Sequence, residues 1–402
     1  MTSGFDKPIA AVMAIDILRA RADTPSCAQI THFNNAGAAL PPSSVTEAVI
    51  SHLRREAAIG GYEAAAEAEP QIERAYDAVA TLIGCARDEV AMIENATRAW
   101  DMAFYAQAFT PGDRILIGRC EYASNIIAML QVARQTGVQI DIVPDDEHGQ
   151  ISIAALRRML DARVRLIALT HAPSDNGLVN PAAQVGVVAR EFGVPYLLDA
   201  CQSIGQMPIC VDDIGCDMLS ATGRKYLRGP RGTGFLYMRR ALIEQLTPPF
   251  LDQHAAKLTS PSTFEIRDDA RRFENWESFV AGRIGLAVAV DYALGWGLDA
   301  IADRIAHLAG LLRDGLRMIP GVTVHDTGFL QSGIVTFTKN GENPAALQRR
   351  LKLRGINTSV AAPAPARIGA AGAAPLPVLR ASVHYYNTGD EVDHLCSSVA
   401  DA

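Results

Sequence analysis

Short apolar runs alternate with amphipathic stretches along the first 240 residues. Runs such as RILIG, RLIALTH and VPYLLDA have the length and composition of buried strands. Between them, stretches such as SNIIAMLQVARQTG and AAQVGVVAREFG carry apolar positions at helical spacing and end at a glycine. Apolar strands that are separated by helices indicate an α/β fold, in which a parallel sheet is covered on both faces.

The pattern changes after Tyr237. Residues 248–275 are predicted to be rich in loops, and two long helical patterns follow around 278–296 and 298–318. The segments SGIVTFT, PAALQRRLKLRG and LRASVHY then predict a strand, a helix and a further strand. We therefore expect a large domain over residues 25–290 and a smaller domain built from residues 1–24 and 291–402. The Ala/Pro/Gly stretch at 361–377 is predicted to be a loop.

Composition and charge narrow the choice of function. The 402 residues carry a net charge of -7 and no basic block, which argues against a nucleic-acid-binding surface. No run of about 18 uncharged apolar residues occurs, so we expect no membrane span. The seven cysteines are odd in number and none has CxxC spacing, which is typical of reduced thiols in a cytoplasmic protein. No His, Cys and Asp residues have the spacing of metal ligands, and we expect no metal.

Two residues at predicted strand ends indicate covalent cofactor chemistry. In YLLDACQ, Asp199 follows a run of apolar residues, and in MLSATGRKYLRGPRGTGFLY, Lys225 follows a turn of small residues. A lysine in this setting can form a Schiff base with pyridoxal 5'-phosphate (PLP), while an aspartate pairs with the pyridinium nitrogen. Each residue also has a simpler interpretation, since most lysines extend along the surface and a strand-end aspartate can cap a helix.

Residues suited to a phosphate group accompany this pair. Thr222 and Arg224 flank a glycine directly before Lys225. In MIENATRAWD, Thr97 follows a predicted strand and opens a helix, where its amide and hydroxyl can face an anion. The alternative is that Asn95 or Thr97 only caps this helix.

Taken together and in this order, these motifs resemble the fold-type I PLP enzymes of the class V aminotransferase group. The resemblance starts at HFNNAGAALPP, continues through ENATRAW, THAPSDNGLVNP and FENWE, and ends at LRASVHYYNTGDEVDHL. The group includes cysteine desulfurases, and the chain looks most similar to its hercynylcysteine sulfoxide lyase-like and isopenicillin N epimerase-like members. The resemblance implies a large, mostly parallel sheet domain of the seven-stranded type, a smaller C-terminal α+β domain and a homodimer.

The resemblance also implies a role for each matching residue. Lys225 matches the lysine that bonds PLP and acts as general base, and Asp199 matches the partner of the pyridine nitrogen. Arg380 matches the arginine that binds the substrate carboxylate with both prongs of its guanidinium. The other implied positions are Gln202 and Ser174 near the phenolic oxygen, Ala96, Thr97, Thr222 and Arg224 around the cofactor phosphate, Asn35 and Gly37 on the substrate side, and Ser278 against the phosphate of a partner subunit.

The sequence departs from the desulfurase pattern at two places. Desulfurases stack a histidine on the cofactor ring in a His-His-Ala-Asn segment, whereas this chain has EYASN. Its Tyr122 can lie near the ring, donate a proton as a catalytic residue, or only pack. Desulfurases also carry a nucleophilic cysteine on the loop before the substrate-binding arginine, and no cysteine occurs here from Leu351 to Arg380. Persulfide relay by that route is therefore disfavoured.

The leading hypothesis is a PLP-dependent lyase that cleaves the Cβ–S bond of a cysteine-derived amino acid. The stretch EAAIGGYEAAAEAEP resembles a Gly-Gly-Tyr segment of hercynylcysteine sulfoxide lyase-like proteins. The same residues would also serve a class V aminotransferase or an amino-acid epimerase. These enzymes differ in the atom or the face to which the proton taken from the substrate Cα returns. A non-catalytic binding protein is disfavoured, because Lys225, Asp199 and Arg380 are all retained.

Overall fold

The structure is a computed structural model that describes residues 14–361 and 377–401, so the predicted loop at 361–377 lies almost wholly outside the described residues. The α-helices are α1 Ile17–Ala22, α2 Ser43–Ile59, α3 Gly61–Glu67, α4 Glu69–Ile83, α5 Ala96–Tyr105, α6 Ala123–Thr136, α7 Ile153–Met159, α8 Ala182–Phe192, α9 Val211–Ile214, α10 Arg240–Ile243, α11 Val280–Trp296, α12 Leu298–Arg317, α13 Pro344–Leu353 and α14 Gly389–Ala400. The strands are β1 Thr31–His32, β2 Val90–Ile93, β3 Arg114–Ile117, β4 Gln139–Ile142, β5 Val164–Thr170, β6 Tyr196–Asp199, β7 Met218–Thr222, β8 Gly234–Met238, β9 Ala256–Ser260, β10 Thr263–Ile266, β11 Val322–Val324, β12 Ile334–Lys339, β13 Ile356–Asn357, β14 Ser359–Ala361 and β15 Val378–Ser382.

The central sheet has seven strands in the order β2-β8-β7-β6-β5-β3-β4. β8 runs antiparallel to its two neighbours, and all the other pairs are parallel. The chain returns through helices between the parallel strands, as such connections require. The α/β class and the mostly parallel seven-stranded sheet that were predicted from the sequence are confirmed.

Helices cover both faces of this sheet. One apolar cluster joins Leu198 to side chains of α4, α8 and α11, and another joins Leu197 to side chains of α5 and α6. Successive residues of β6 are therefore buried on opposite faces, which explains why the strand reads YLLD without polar alternation. The helix predicted to end at Gly137 does so, because this residue adopts a left-handed conformation with φ 79° that favours glycine.

A second, four-stranded antiparallel sheet has the order β11-β12-β15-β14 and packs on α12, α13 and α14. Its apolar cluster also takes in Ala20 and Phe33 from the N-terminal segment. β1 pairs in parallel with β13, which ties that segment to the same region. This is the smaller α+β domain expected for the C-terminal part, and the domain boundaries near residues 25 and 290 stay a prediction.

Residues 248–275, predicted to be loop-rich, contain an antiparallel hairpin of β9 and β10. The side chains on both faces of this hairpin are mostly exposed to solvent. A strand without a buried face shows no apolar alternation, and therefore the hydrophobic pattern did not reveal it.

No single helix in the described ranges is long and apolar enough to cross a membrane. Only α11 and α12 taken as a pair satisfy those limits, and the two helices are bent by 79° at their junction. Within residues 14–361 and 377–401, no three His, Cys, Asp or Glu side chains come together as a metal site.

Candidate active site

The carboxyl ends of β5, β6 and β7 border one cavity. The strand register places Thr170 of β5 beside Asp199 of β6, at the sheet edge where parallel sheets bind ligands. The cavity has a volume of about 820 Å³, its open mouth included. Eight of the predicted site residues line it, namely Ala96, Thr97, Tyr122, Ser174, Asp199, Gln202, Arg224 and Lys225. The structure thus brings together residues that lie far apart in the sequence.

Lys225 is the one buried lysine among the described residues. Lys257 and Lys352 are exposed and Lys339 is partly exposed. Burial lowers the pKa of the Lys225 amine, because the ammonium loses its hydration, although the neighbouring Asp199 acts in the opposite direction. An amine that is more readily neutral can bond to an aldehyde and accept a proton.

The small domain holds the loop that carries Lys225. Nδ1 of His384 accepts a hydrogen bond from the Tyr385 amide at 2.9 Å, so its Nε2 carries the proton and donates to the Tyr226 carbonyl at 3.0 Å. Arg228 has a φ of 60°, a left-handed conformation that is uncommon outside glycine, and its amide donates to the Lys225 carbonyl at 2.9 Å. The Arg228 guanidinium donates to the Tyr385 hydroxyl at 2.6 Å. These contacts fix the backbone that follows the lysine, and the sequence did not predict them.

Both oxygens of the Asp199 carboxylate have a donor. Oδ2 accepts from Asn125 Nδ2 at 3.0 Å, and Oδ1 accepts from the Cys201 amide at 2.9 Å. These hydrogen bonds hold the carboxylate in a fixed orientation on the cavity wall. Asn125 lies in the first turn of α6, in the EYASN segment, and was not identified as a site residue from the sequence.

A second acid, Glu121, lies on the cavity wall. Its carboxyl accepts from the Thr170 amide at 2.9 Å and contacts the Thr170 hydroxyl at 2.7 Å. Burial, together with the nearby charge of Asp199, raises the pKa of Glu121 to about 8. Glu121 is therefore mostly protonated at neutral pH and adds little negative charge to the cavity. Sequence patterns do not indicate this residue, since its carboxyl is distinguished only by its burial.

Tyr122 stands at the mouth of the cavity. Its amide donates to the Thr170 hydroxyl at 3.3 Å, which ties the start of α6 to the end of β5. The side chain is 44% exposed although it lines the cavity, so the phenol ring is accessible to a ligand. Whether this ring takes the place of the stacking histidine stays a prediction.

The start of α5 and the turn before Lys225 both contribute to the cavity wall and are suited to bind an anion. Asn95 caps α5, because its side chain accepts from the Arg98 amide at 3.0 Å, and Thr97 in the first turn faces the cavity. Arg224 Nη1 donates to the Thr222 hydroxyl at 3.1 Å. Thr222 itself is buried and does not line the cavity, so its contact with a phosphate stays a prediction and the observed contact is with Arg224.

The residues present fit PLP. Gln202 Oε1 is buried without a hydrogen-bond partner among the described residues, while Nε2 of the same amide donates to the Ala36 carbonyl at 3.1 Å. A buried polar atom without a partner on a cavity wall is costly and indicates a ligand. The Lys225 amine, the Asp199 carboxylate, the Gln202 amide and the Arg224 guanidinium suit the aldehyde, ring nitrogen, phenolic oxygen and phosphate of this cofactor.

Arg380 reaches the rim of the cavity from β15. Its Nη1 donates to the Ser174 carbonyl at 2.9 Å, its Nε to the Ser359 hydroxyl at 2.9 Å and its Nη2 to Asn34 Oδ1 at 3.4 Å. All three acceptors are neutral. Burial lowers the pKa of the guanidinium, as expected for a charge that has lost water. A largely buried cation that is held only by neutral groups is suited to bind an anion.

The predicted substrate-side segment approaches Arg380 through a different residue than expected. Asn35 is fully buried, donates to the Ser382 carbonyl at 2.7 Å and accepts from the Tyr386 hydroxyl, so the structure does not bring it to the cavity. Asn34 contacts Arg380 instead. A Cβ at Gly37 would lie 2.6 Å from Asn34 Oδ1, so a larger residue at that position would have to displace the Asn34 side chain.

Ser278 lies away from the cavity that Lys225 lines. It lines a second cavity of about 1230 Å³ together with Glu94, Glu277 and Thr233. This cavity is next to the first one, because Glu94 borders the second and Asn95 borders the first. Ser278 therefore does not line the cavity of Lys225 in its own chain.

Comparison with known proteins identifies the family. The aminotransferase class-V family model matches residues 31–395. A probable cysteine desulfurase from Xylella fastidiosa is 30% identical over 403 residues, which cover 95% of this chain and 94% of the relative. The apo structure of a cysteine desulfurase from Thermococcus onnurineus superposes with a TM-score of 0.89 at 24% identity, covering 98% of this chain and 99% of that one. A complex of the cystine C-S lyase C-DES with its reaction product cysteine persulfide has a TM-score of 0.84 at 23% identity, covering 94% and 99%.

The family match extends over most of the chain and includes Lys225, Asp199 and Arg380. The structural matches confirm the fold, and the closer resemblance to epimerase-like and sulfoxide lyase-like members stays a prediction. The chain belongs to the class V aminotransferase family and is a PLP-dependent enzyme.

Proposed function

We propose that this enzyme cleaves the Cβ–S bond of a cysteine-derived amino acid. The observation that carries the proposal is one cavity lined by Lys225 and Asp199, with Arg380 donating to the backbone of a residue on its wall. PLP, when bound, supplies an electron sink for the charge that develops at the substrate Cα. The relatives named as cysteine desulfurases, and the structural neighbour named as a cystine C-S lyase, favour a sulfur-containing substrate.

Each residue then has a defined task. Arg380 would exchange its neutral acceptors for the α-carboxylate, to which its planar guanidinium can donate two parallel hydrogen bonds. This contact orients the substrate so that Nζ of Lys225 can take the proton from Cα. Asp199, held by Asn125 and the Cys201 amide, would keep the ring nitrogen protonated.

The cysteines favour a lyase over a desulfurase. No cysteine lies between Leu351 and Arg380, where a desulfurase carries its persulfide-forming thiol. Cys201 lines the cavity, and Cys216 is buried in the core of the sheet domain. Burial raises the pKa of both thiols well above the usual range. Because the thiolate is the nucleophile, neither thiol is activated for attack on sulfur.

The test is a product assay with cystine, cysteine, cysteine sulfoxides and unmodified amino acids. We expect pyruvate, ammonia and a sulfur-containing product from the cysteine derivatives; cystine and water would give pyruvate, ammonia and cysteine persulfide. Alanine together with a persulfide on Cys120 or Cys201, the two cysteines that line the cavity, would establish a desulfurase instead. A 2-oxo acid formed without release of sulfur would indicate transamination, and a D-amino acid would indicate epimerisation.

We also propose a homodimer in which Ser278 contacts the cofactor phosphate of the partner subunit. The second cavity adjoins the first one at the start of α5, through Glu94 and Asn95. Phe250, Trp276 and Phe279 expose 59%, 52% and 43% of their surface, and Trp276 and Phe279 flank Ser278 in the sequence. Exposed aromatic side chains of this kind are typical of interfaces.

Light scattering should give twice the 43.1 kDa of one chain. Ser278→Ala should weaken PLP binding about fivefold, as expected for the loss of one hydrogen bond, without dissociating the dimer. Ser262→Ala, on the exposed hairpin, serves as the control and should bind PLP like the wild type. A monomer that retains full PLP occupancy would contradict the proposal.

A further inference from the structure

One charged group on the cavity wall has no task in the reaction described above. The acidic and basic side chains that line the cavity are Glu121, Asp175, Asp199, Arg224 and Lys225. Glu121 is bonded to Thr170, Asp199 has two donors, Arg224 contacts Thr222, and Lys225 is reserved for the cofactor. Apart from Lys225, Asp175 is the one member of this set whose side chain makes no hydrogen bond or ion pair with any described residue.

Asp175 lies on the cavity wall next to the residue that Arg380 contacts. It follows Ser174, whose carbonyl accepts from the proposed carboxylate-binding Arg380, and it precedes Asn176, whose side chain accepts from the Leu178 amide. The Asp175 side chain is partly exposed, on the same cavity whose floor holds Lys225. A substrate held by its α-carboxylate would therefore extend its Cβ substituent past this carboxylate.

Tyr122 lines the same cavity. Its ring is 44% exposed, and no aromatic ring or guanidinium of the described residues packs against it. The face of a phenol ring attracts cations through its quadrupole. An unpaired carboxylate and an open aromatic ring on one wall form a combination that binds positive charge and disfavours a second anion.

We propose that Asp175, with Tyr122, makes the enzyme selective for S-linked cysteine derivatives whose sulfur substituent carries a positive charge, such as an ammonium group. The inference rests on the proposed C–S lyase function for its choice of substrates. It goes further by assigning the charge of the departing group. The alternative is that Asp175 only balances the charge of Arg380, since its carboxylate partly opposes the lowering of the Arg380 pKa by burial, in which case it would affect every amino acid alike.

Three substrates of similar length separate these cases, because they differ mainly in terminal charge: S-(2-aminoethyl)-cysteine, S-propyl-cysteine and S-carboxymethyl-cysteine. We expect the wild type to prefer the ammonium compound over the propyl compound by about tenfold in kcat/KM, and to accept the carboxylate compound least. Binding is measured independently from the change that each compound causes in the absorption of the bound cofactor, which requires no turnover.

Asp175→Asn is the decisive variant. Its preference for the ammonium over the propyl compound should fall to about twofold, and the ratio cancels any effect common to all substrates. Asp393→Asn, which removes an exposed carboxylate on α14, should keep the wild-type ratio. Equal preference for the three compounds in the wild type, or an equal loss for all three in Asp175→Asn, would overturn the proposal. If none of them releases pyruvate, the lyase function fails, and the binding ratios still decide whether Asp175 selects a cation.

Discussion

Lys225→Ala should reduce turnover of every substrate by at least about a thousandfold. The residue is expected both to bond the cofactor and to move the Cα proton, and the loss of a general base alone costs about 10²–10⁴ in rate. Thermal stability should change little, because the Lys225 side chain makes no hydrogen bond to another described residue, and removing a buried amine also removes its desolvation cost. The measurements are pyruvate release and the melting temperature on the same preparation.

The chain offers a clean control for this prediction, since it contains only five lysines, at positions 7, 225, 257, 339 and 352. The purified protein should be yellow and should lose that absorption with borohydride, and peptide mapping should then place the pyridoxyl group on Lys225. Lys257→Ala removes an exposed lysine on β9 and should keep both the colour and the activity. A pyridoxyl label on another lysine would remove the basis for the roles assigned to the cavity residues.

The central sheet could be predicted because its strands are buried on both sides. A run such as YLLD in β6 is apolar at successive positions, and only a strand covered by helices on both faces allows that pattern. The β9–β10 hairpin was missed for the opposite reason. Its side chains are mostly exposed on both faces, so their polarity is not constrained by packing and carries no periodic signal.

Within the site, residues that are recognised by the chemistry of their side chain could be predicted. Residues whose role depends on the direction of their side chain could not. Lys225 and Asp199 follow recognisable strand and turn patterns, and both line the cavity. Asn34 forms an isolated β-bridge with Ser382, and Asn35 begins the turn that follows, so adjacent residues of one motif have different surroundings. The motif indicated the segment, and only the packing showed that Asn34 contacts Arg380 while Asn35 bonds to the Ser382 carbonyl.

Asn125 and Glu121 illustrate the same limit. Both are ordinary polar residues at the start of a helical segment, where capping is the usual interpretation. Their importance comes from partners distant in the sequence, since Asn125 donates to Asp199 and Glu121 contacts Thr170. A single sequence does not show which polar side chains meet across a cavity.

Arg380 allows substrate binding to be separated from cofactor binding. It lies on β15 of the smaller sheet, while Lys225, Asp199 and the start of α5 belong to the large sheet domain. Its three hydrogen bonds go to Ser174, Ser359 and Asn34, and each of these acceptors is neutral. Removing the guanidinium therefore leaves no buried carboxylate without its partner, in contrast to the loss of a buried ion pair such as Arg313–Asp326.

Arg380→Ala should keep the yellow cofactor while weakening amino-acid binding about 10- to 150-fold, because a charge-assisted contact contributes about 1.5–3 kcal/mol. Arg380→Lys should restore only part of the affinity, since an ammonium cannot reproduce the two parallel hydrogen bonds of a guanidinium. PLP content, melting temperature and the substrate-induced change in absorption should be measured on one preparation of each variant. Loss of PLP and thermal stability together would mean that Arg380 mainly holds the smaller domain in place. Substrate binding as tight as in the wild type would show that the α-carboxylate is bound elsewhere, and Arg224, the other guanidinium on the cavity wall, would then be the next residue to test.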